Sequence, residues 1–106
     1  MRERDIERHL VRRVKEIGGE VRKVQWVGRR GAPDRLVMMP SRKLVTELEG
    51  GRKVFRERWP EAVWVELKAP GVKVEAHQQR EHVKLWQMGQ RVVVIDSLEG
   101  VEELLK

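Results

Sequence analysis

Three short apolar runs set apart by turn residues constrain this chain more than anything else in it. They are LVMM at 36–39, AVWVELK at 62–68 and RVVVI at 91–95. Runs of this length, rich in valine, suit strands and are too short for buried helices. Pro40 closes the first run, because proline cannot donate to a sheet ladder, and Pro70-Gly71 closes the second. A looser alternation at 21–27 suggests one strand ahead of them.

Helical spacing frames these strands. Ile6, Leu10, Val14 and Ile17 form an apolar stripe over 2–17, and Gly18-Gly19 stops the helix. A second helix is expected over 75–88, closed by Gly89. Ser97 can cap a last helix whose apolar face holds Val101, Leu104 and Leu105. The predicted order is α-β-β-β-α-β-α, an α/β fold with a mixed β-sheet flanked by helices. Residues 41–61 fit this order least well. KLVTELE and RKVFRERW flank Gly50-Gly51 and suit either a hairpin or two short helical turns. We read 41–61 as an insertion in a single domain spanning 1–106, serving as a dimer contact or a substrate-facing flap.

Composition narrows the function. The net charge of +6 favours an anionic partner, nucleic acid ahead of an anionic membrane. The absence of cysteine excludes disulfides and thiolate zinc sites. The longest apolar stretch, 92–95, is far too short to cross a bilayer, and the charged N-terminus lacks a signal-peptide core. The expectation is a soluble, cytoplasmic protein with no membrane partner.

One constellation carries chemistry. Pro33-Asp34 opens the strand at Leu36, and Glu66-Leu67-Lys68 ends the strand AVWVELK. Side chains two apart on a strand share a face, so Glu66 and Lys68 project together, away from Val63 and Val65. Two converging carboxylates can hold a hard divalent ion, and the adjacent lysine could orient an attacking water. Taken alone, the same residues also fit a turn cap and a solvated strand face, since Glu-x-Lys arises by chance in a chain that is 38% charged. Glu7, at the edge of the helical stripe, reads by itself as a solvated carboxylate. His9, His77 and His82 show no metal-ligand spacing, and His82 is expected beneath the site. Trp64 and Trp86 are expected in the core, while Trp26 and Trp59 are not assigned.

Longer blocks add a resemblance. IERHLVRRVKEIGG (6–19), GRRGAPDRL (28–36), VWVELKAPG (63–71), QQREHVKLWQMG (78–89) and VVVIDSLEGVEEL (92–104) resemble the VRR-NUC family in order and spacing. That family is a branch of the PD-(D/E)xK nucleases with a restriction-endonuclease-like core, and the similarity is to its short, stand-alone phage and prophage members. By position, the resemblance implies catalytic roles for Glu7, Asp34, Glu66, Lys68 and Gln78, with Gln79 adjacent to the last. It implies Mg2+ or Mn2+ held by Asp34, Glu66 and the Leu67 carbonyl, with Glu7 binding directly or through water. Arg29 and Arg30 would hold flanking phosphates, with Lys73 and Arg80 as further DNA-binding candidates. The implied activity is a homodimeric endonuclease for branched DNA, as resolvases of four-way junctions are. A flap- or nick-directed nuclease and a non-catalytic DNA-binding module are the alternatives.

Overall fold

The computed structural model describes residues 1–106. Helix α1 (Glu3–Glu16) leads into β1 (Glu20–Lys23) and β2 (Arg35–Met39). A hairpin of β3 (Arg42–Glu47) and β4 (Lys53–Arg58) follows, then β5 (Glu61–Leu67), α2 (Ala76–Gln87), β6 (Val92–Ile95) and α3 (Leu98–Leu104). The expected strands and helices are present, and of the two readings left open for 41–61 the hairpin is the one that forms. It adds two strands between the second and third of the expected order. No helix is long and apolar enough to cross a membrane.

Four strands form a mixed sheet in the order β1-β2-β5-β6, with β5 and β6 parallel and the other pairs antiparallel. One face carries Val37, Met39, Val63, Val65, Leu67 and Ile95. It packs against Ile6, Leu10 and Val14 of α1 and Val101, Leu104 and Leu105 near the C-terminus. The helical stripe and the strand alternation therefore meet in one core, as their periods require. The second face is covered on the β6 side by α2, which buries His82 and Leu85. Trp86 lies on the solvent side of α2 and not in the core; its indole only edges back to donate to the Val92 carbonyl at 3.2 Å.

Strand β1 stops at Lys23, short of the expected 27. Val24 N–H still donates to the Asp34 carbonyl at 2.9 Å, after which Gly28 and Gly31 take positive φ and the chain turns. Ser97 caps α3 as its sequence position predicts, accepting from Gly100 N–H at 2.9 Å.

The β3–β4 hairpin bonds to no strand of the main sheet. It leaves β2 at Met39 and returns to β5 at Glu61, the ends of those strands remote from Asp34 and Glu66. Arg42 and Arg58 anchor its base by donating to the carbonyls of Leu105 and Lys106.

Where α1 turns into β1, the backbone passes so close to the sheet that a Cβ on Gly19 would lie 2.4 Å from the Met38 carbonyl oxygen and 2.8 Å from a Val14 methyl. Backbone atoms cannot yield there without moving the helix. Gly19→Ala should therefore cost about 2 kcal/mol or more in urea unfolding, and an unchanged midpoint would show that this junction is looser than described.

Candidate active site

Asp34 and Glu66 are brought together by strand register. Arg35 pairs with Val65 across the antiparallel β2–β5 ladder, so one step further Asp34 stands opposite Glu66. Directly opposed residues on one face have Cβ atoms about 5 Å apart. Lys68 continues the Glu66 face, and its N–H donates to the Ile95 carbonyl at 3.0 Å, extending the parallel pairing with β6. The two carboxylates and the lysine thus converge at one end of the sheet.

The turn before Asp34 is fixed from both sides. Trp26 donates its indole N–H to the Pro33 carbonyl at 2.8 Å, and Pro33 itself is fully buried. Gly31 has φ of +87°, and a Cβ there would lie 2.8 Å from the His77 ring at the start of α2. Only glycine satisfies both the backbone conformation and the closeness.

Glu66 is only 8% exposed. Burial pushes its carboxyl up to about 7; Lys68 opposes the shift, the negative charges of Asp34 and Glu3 add to it, and Arg35 opposes it. His82 lies behind, its Nε2 3.4 Å from Glu66 Oε1. An ion pair would raise the histidine and lower the glutamate. Burial, and then the Lys68 charge, instead lower His82, so the surroundings disfavour the charged form of both partners and the contact is a hydrogen bond and not a full ion pair.

A buried cation organises the rest. Arg35 is 9% exposed and points to the core face, where an unpaired charge would be costly. Its guanidinium donates to Glu7 at 3.1 Å and lies 2.8 Å from Asp34 Oδ1. Burial alone would weaken its hold on the proton, but these two carboxylates outweigh that and raise it.

The candidate residues divide accordingly. Asp34, Glu66 and Lys68 converge, whereas Glu7 is tied to Arg35. No three His, Asp or Glu side chains converge tightly enough to enclose a metal by themselves. Gln78 closes the N-terminus of α2, its side-chain oxygen accepting from Glu75 N–H at 3.0 Å, while Gln79 is exposed. Arg29 faces Glu81 at 3.5 Å, and Arg30, Lys73 and Arg80 are exposed. Beside Asp34 lies an open concavity of about 580 Å³ lined by Lys23, Gln25, Trp26 and Arg29 among others.

Sequence reasoning passed over Arg35, Glu3 and Trp26. Strand alternation placed Arg35 on the core face, where a charge demands acidic partners. Glu3 lies one helical turn before Glu7 and shares its face, so its charge reaches Glu66. Trp26 gave no such signal, since its bond to Pro33 depends on how the turn folds.

The donor set suits a hard divalent cation. The negative charges of Asp34 and Glu3 oppose ionisation of Glu66 in the bare site, and a divalent ion would relieve that opposition. Two carboxylates and a nearby strand-end carbonyl leave room for the waters that magnesium retains.

No protein-family model matches the sequence. A protein of Acyrthosiphon pisum secondary endosymbiont phage 1 named "Putative nuclease p44" is 41% identical over 97 residues, which are 92% of this chain and 85% of that one. A solved structure of a VRR_NUC domain superposes with a TM-score of 0.68 at 31% identity, covering 97% of this chain and 92% of its own.

The raised Glu66 carboxyl has a measurable consequence. The folded protein binds this proton more tightly than the unfolded chain, whose carboxyl has the ordinary value of 4.5. The stability it contributes is full below that value and is lost as pH rises through about 7. His82 contributes with the opposite sign, so the informative quantity is the difference from Glu66→Gln. In EDTA, the wild type should lose on the order of 3 kcal/mol relative to this variant between acidic and mildly alkaline pH. Parallel stability curves for the two proteins would contradict the burial of this carboxyl.

Proposed function

This chain belongs to the VRR-NUC family of nucleases, and on that footing we propose that it is a metal-dependent DNA endonuclease acting through Asp34, Glu66 and Lys68. The observation that carries the reading is the register that sets Asp34 opposite Glu66 with Lys68 on the same face. The whole of 1–106 acts as one nuclease unit, with the hairpin as its insertion.

Asp34 and Glu66 would hold Mg2+ or Mn2+, with the Leu67 carbonyl as a further ligand. Glu7, engaged by Arg35, would support the ion directly or through water. When bound, the ion polarises the scissile phosphate and stabilises the negative charge that develops there. Lys68 orients the water that attacks phosphorus in line, and its charge favours the hydroxide form. The water's proton passes to solvent, the bond from phosphorus to one bridging sugar oxygen breaks, and that departing oxygen takes a proton from solvent. Arg35 holds Asp34 in place from beneath. Gln78 positions the site indirectly, by fixing the start of α2, against which Gly31 and the Pro33-Asp34 turn pack.

The DNA backbone runs past Asp34 through the concavity of Lys23, Trp26 and Arg29, with Arg30 beside it and Lys73 and Arg80 as outer contacts. Phosphate contacts of this kind give affinity and salt dependence without reading bases. A chain of 106 residues leaves little room for a base-reading element, which favours recognition of DNA shape over sequence. We therefore assign branched DNA, four-way junctions foremost, as substrate, cut by a homodimer that presents two sites. The phage origin of the p44 relative supports action in the cytoplasm of a bacterial cell.

The test is cleavage of labelled four-way junction, flap, splayed-arm and linear duplex DNA with magnesium, manganese or EDTA. Paired cuts near the junction that need metal are expected. Asp34→Asn, Glu66→Gln and Lys68→Ala should each lower the rate by about a thousandfold or more while remaining folded. Full activity in any folded variant would remove that residue from the site. Preference for flaps would keep the chemistry and replace the junction, and binding without cleavage under every metal would leave a DNA-binding module.

A further inference from the structure

The β3–β4 hairpin stands clear of the sheet and shows one face to solvent. Register places Lys43 opposite Glu57, Val45 opposite Phe55 and Glu47 opposite Lys53, and alternation puts all six on the same face. The other face, with Arg42, Leu44 and Arg58, turns towards the body of the protein. Phe55 is 67% exposed and Val45 is 55% exposed. An isolated two-stranded ribbon is marginally stable at best, and a solvent-exposed valine–phenylalanine pair on it adds only modestly to its stability.

The charges around that pair have an unusual property. The ion pairs of the chain leave Lys43, Glu47, Lys53 and Glu57 out. A second hairpin laid face to face about a twofold axis along the strands would put Lys43 over Glu57, Val45 over Phe55 and Glu47 over Lys53. A twofold axis across the strands would put Lys43 over Glu47 and Glu57 over Lys53, again with opposite charges meeting. Both in-plane twofolds are thus electrostatically complementary, with an apolar centre and a charged rim.

We propose that two copies of this chain pair through the hairpin face formed by Lys43, Val45, Glu47, Lys53, Phe55 and Glu57. This rests on the dimeric reading above and names the surface that produces it. Charge complementarity selects a second copy over a different partner, since the pattern satisfies itself. Of the two axes, the one along the strands is preferred because each phenylalanine then packs on a valine, filling the centre evenly. The ribbon face is roughly 20 Å by 10 Å, so the pairing is of the small, reversible class.

Sedimentation velocity on the full chain, from micromolar to sub-millimolar concentration, provides the test. The wild type should pass reversibly from monomer to dimer. Phe55→Lys should weaken pairing at least ~tenfold with unchanged circular dichroism. The doubly substituted Lys43→Glu/Lys53→Glu chain, all acidic on this face, should be monomeric, as should the all-basic Glu47→Lys/Glu57→Lys chain. Mixing the two should restore a dimer. A wild type that stays monomeric throughout would overturn both the surface and the dimeric reading. A dimer that survives Phe55→Lys and both charge variants would overturn the surface alone.

Discussion

The antiparallel pairing of β2 with β5 is the constraint on which the site depends. It is set by Val37 and Val63, buried partners on the core face, and by Arg35 against Val65. A slip of one residue would carry every side chain of a strand to the opposite face. Val63 and Val65 would then meet α2 and solvent, and Glu66 would enter the apolar core. The hydrophobic alternation that stabilises the sheet is therefore also what aligns two carboxylates across it.

Arg35 shows how this arrangement carries a cost and offsets it. A guanidinium facing the core gives up much of its hydration, and it is tolerated because Glu7 comes from α1 and Asp34 from the adjoining position to meet it. The network joins helix, strand and site in one unit. On the opposite face, Glu66 is shielded by α2 and pressed by like charges, so its ionisation is opposed until something cationic arrives. One site thus holds a carboxylate paired with arginine and another whose proton is held more tightly by its surroundings. The contrast comes from which face of the sheet each partner approaches.

Much of this was legible in the residues. Apolar periodicity located every helix and all four strands of the main sheet, and alternation alone predicted that Glu66 and Lys68 share a face. Asp34 could be nominated but not placed, because the sequence contains no statement of register between β2 and β5. Glu7 is singled out by family position, yet its partner Arg35 was hidden beside the more conspicuous Asp34. Gln78 is likewise singled out by family position, while the cap it forms with Glu75 N–H could not be read from that position. Trp86 fitted a helical pattern but lies on the solvent side of α2. Residues 41–61 resisted reading because an exposed ribbon buries neither face and so leaves no clean period. What failed to show in one dimension was pairing between distant segments.

Met39 and Glu61 are register partners, so the chain leaves β2 and re-enters β5 at points that already face each other. Residues 40–60 are therefore an excursion that closes on itself, and a tight turn could bridge the same gap. The fold has, at the end remote from its chemistry, a port through which segments of any length can be spliced without altering the spacing of Asp34 and Glu66. Related chains could differ there in how they associate or what they touch while sharing one cleavage apparatus.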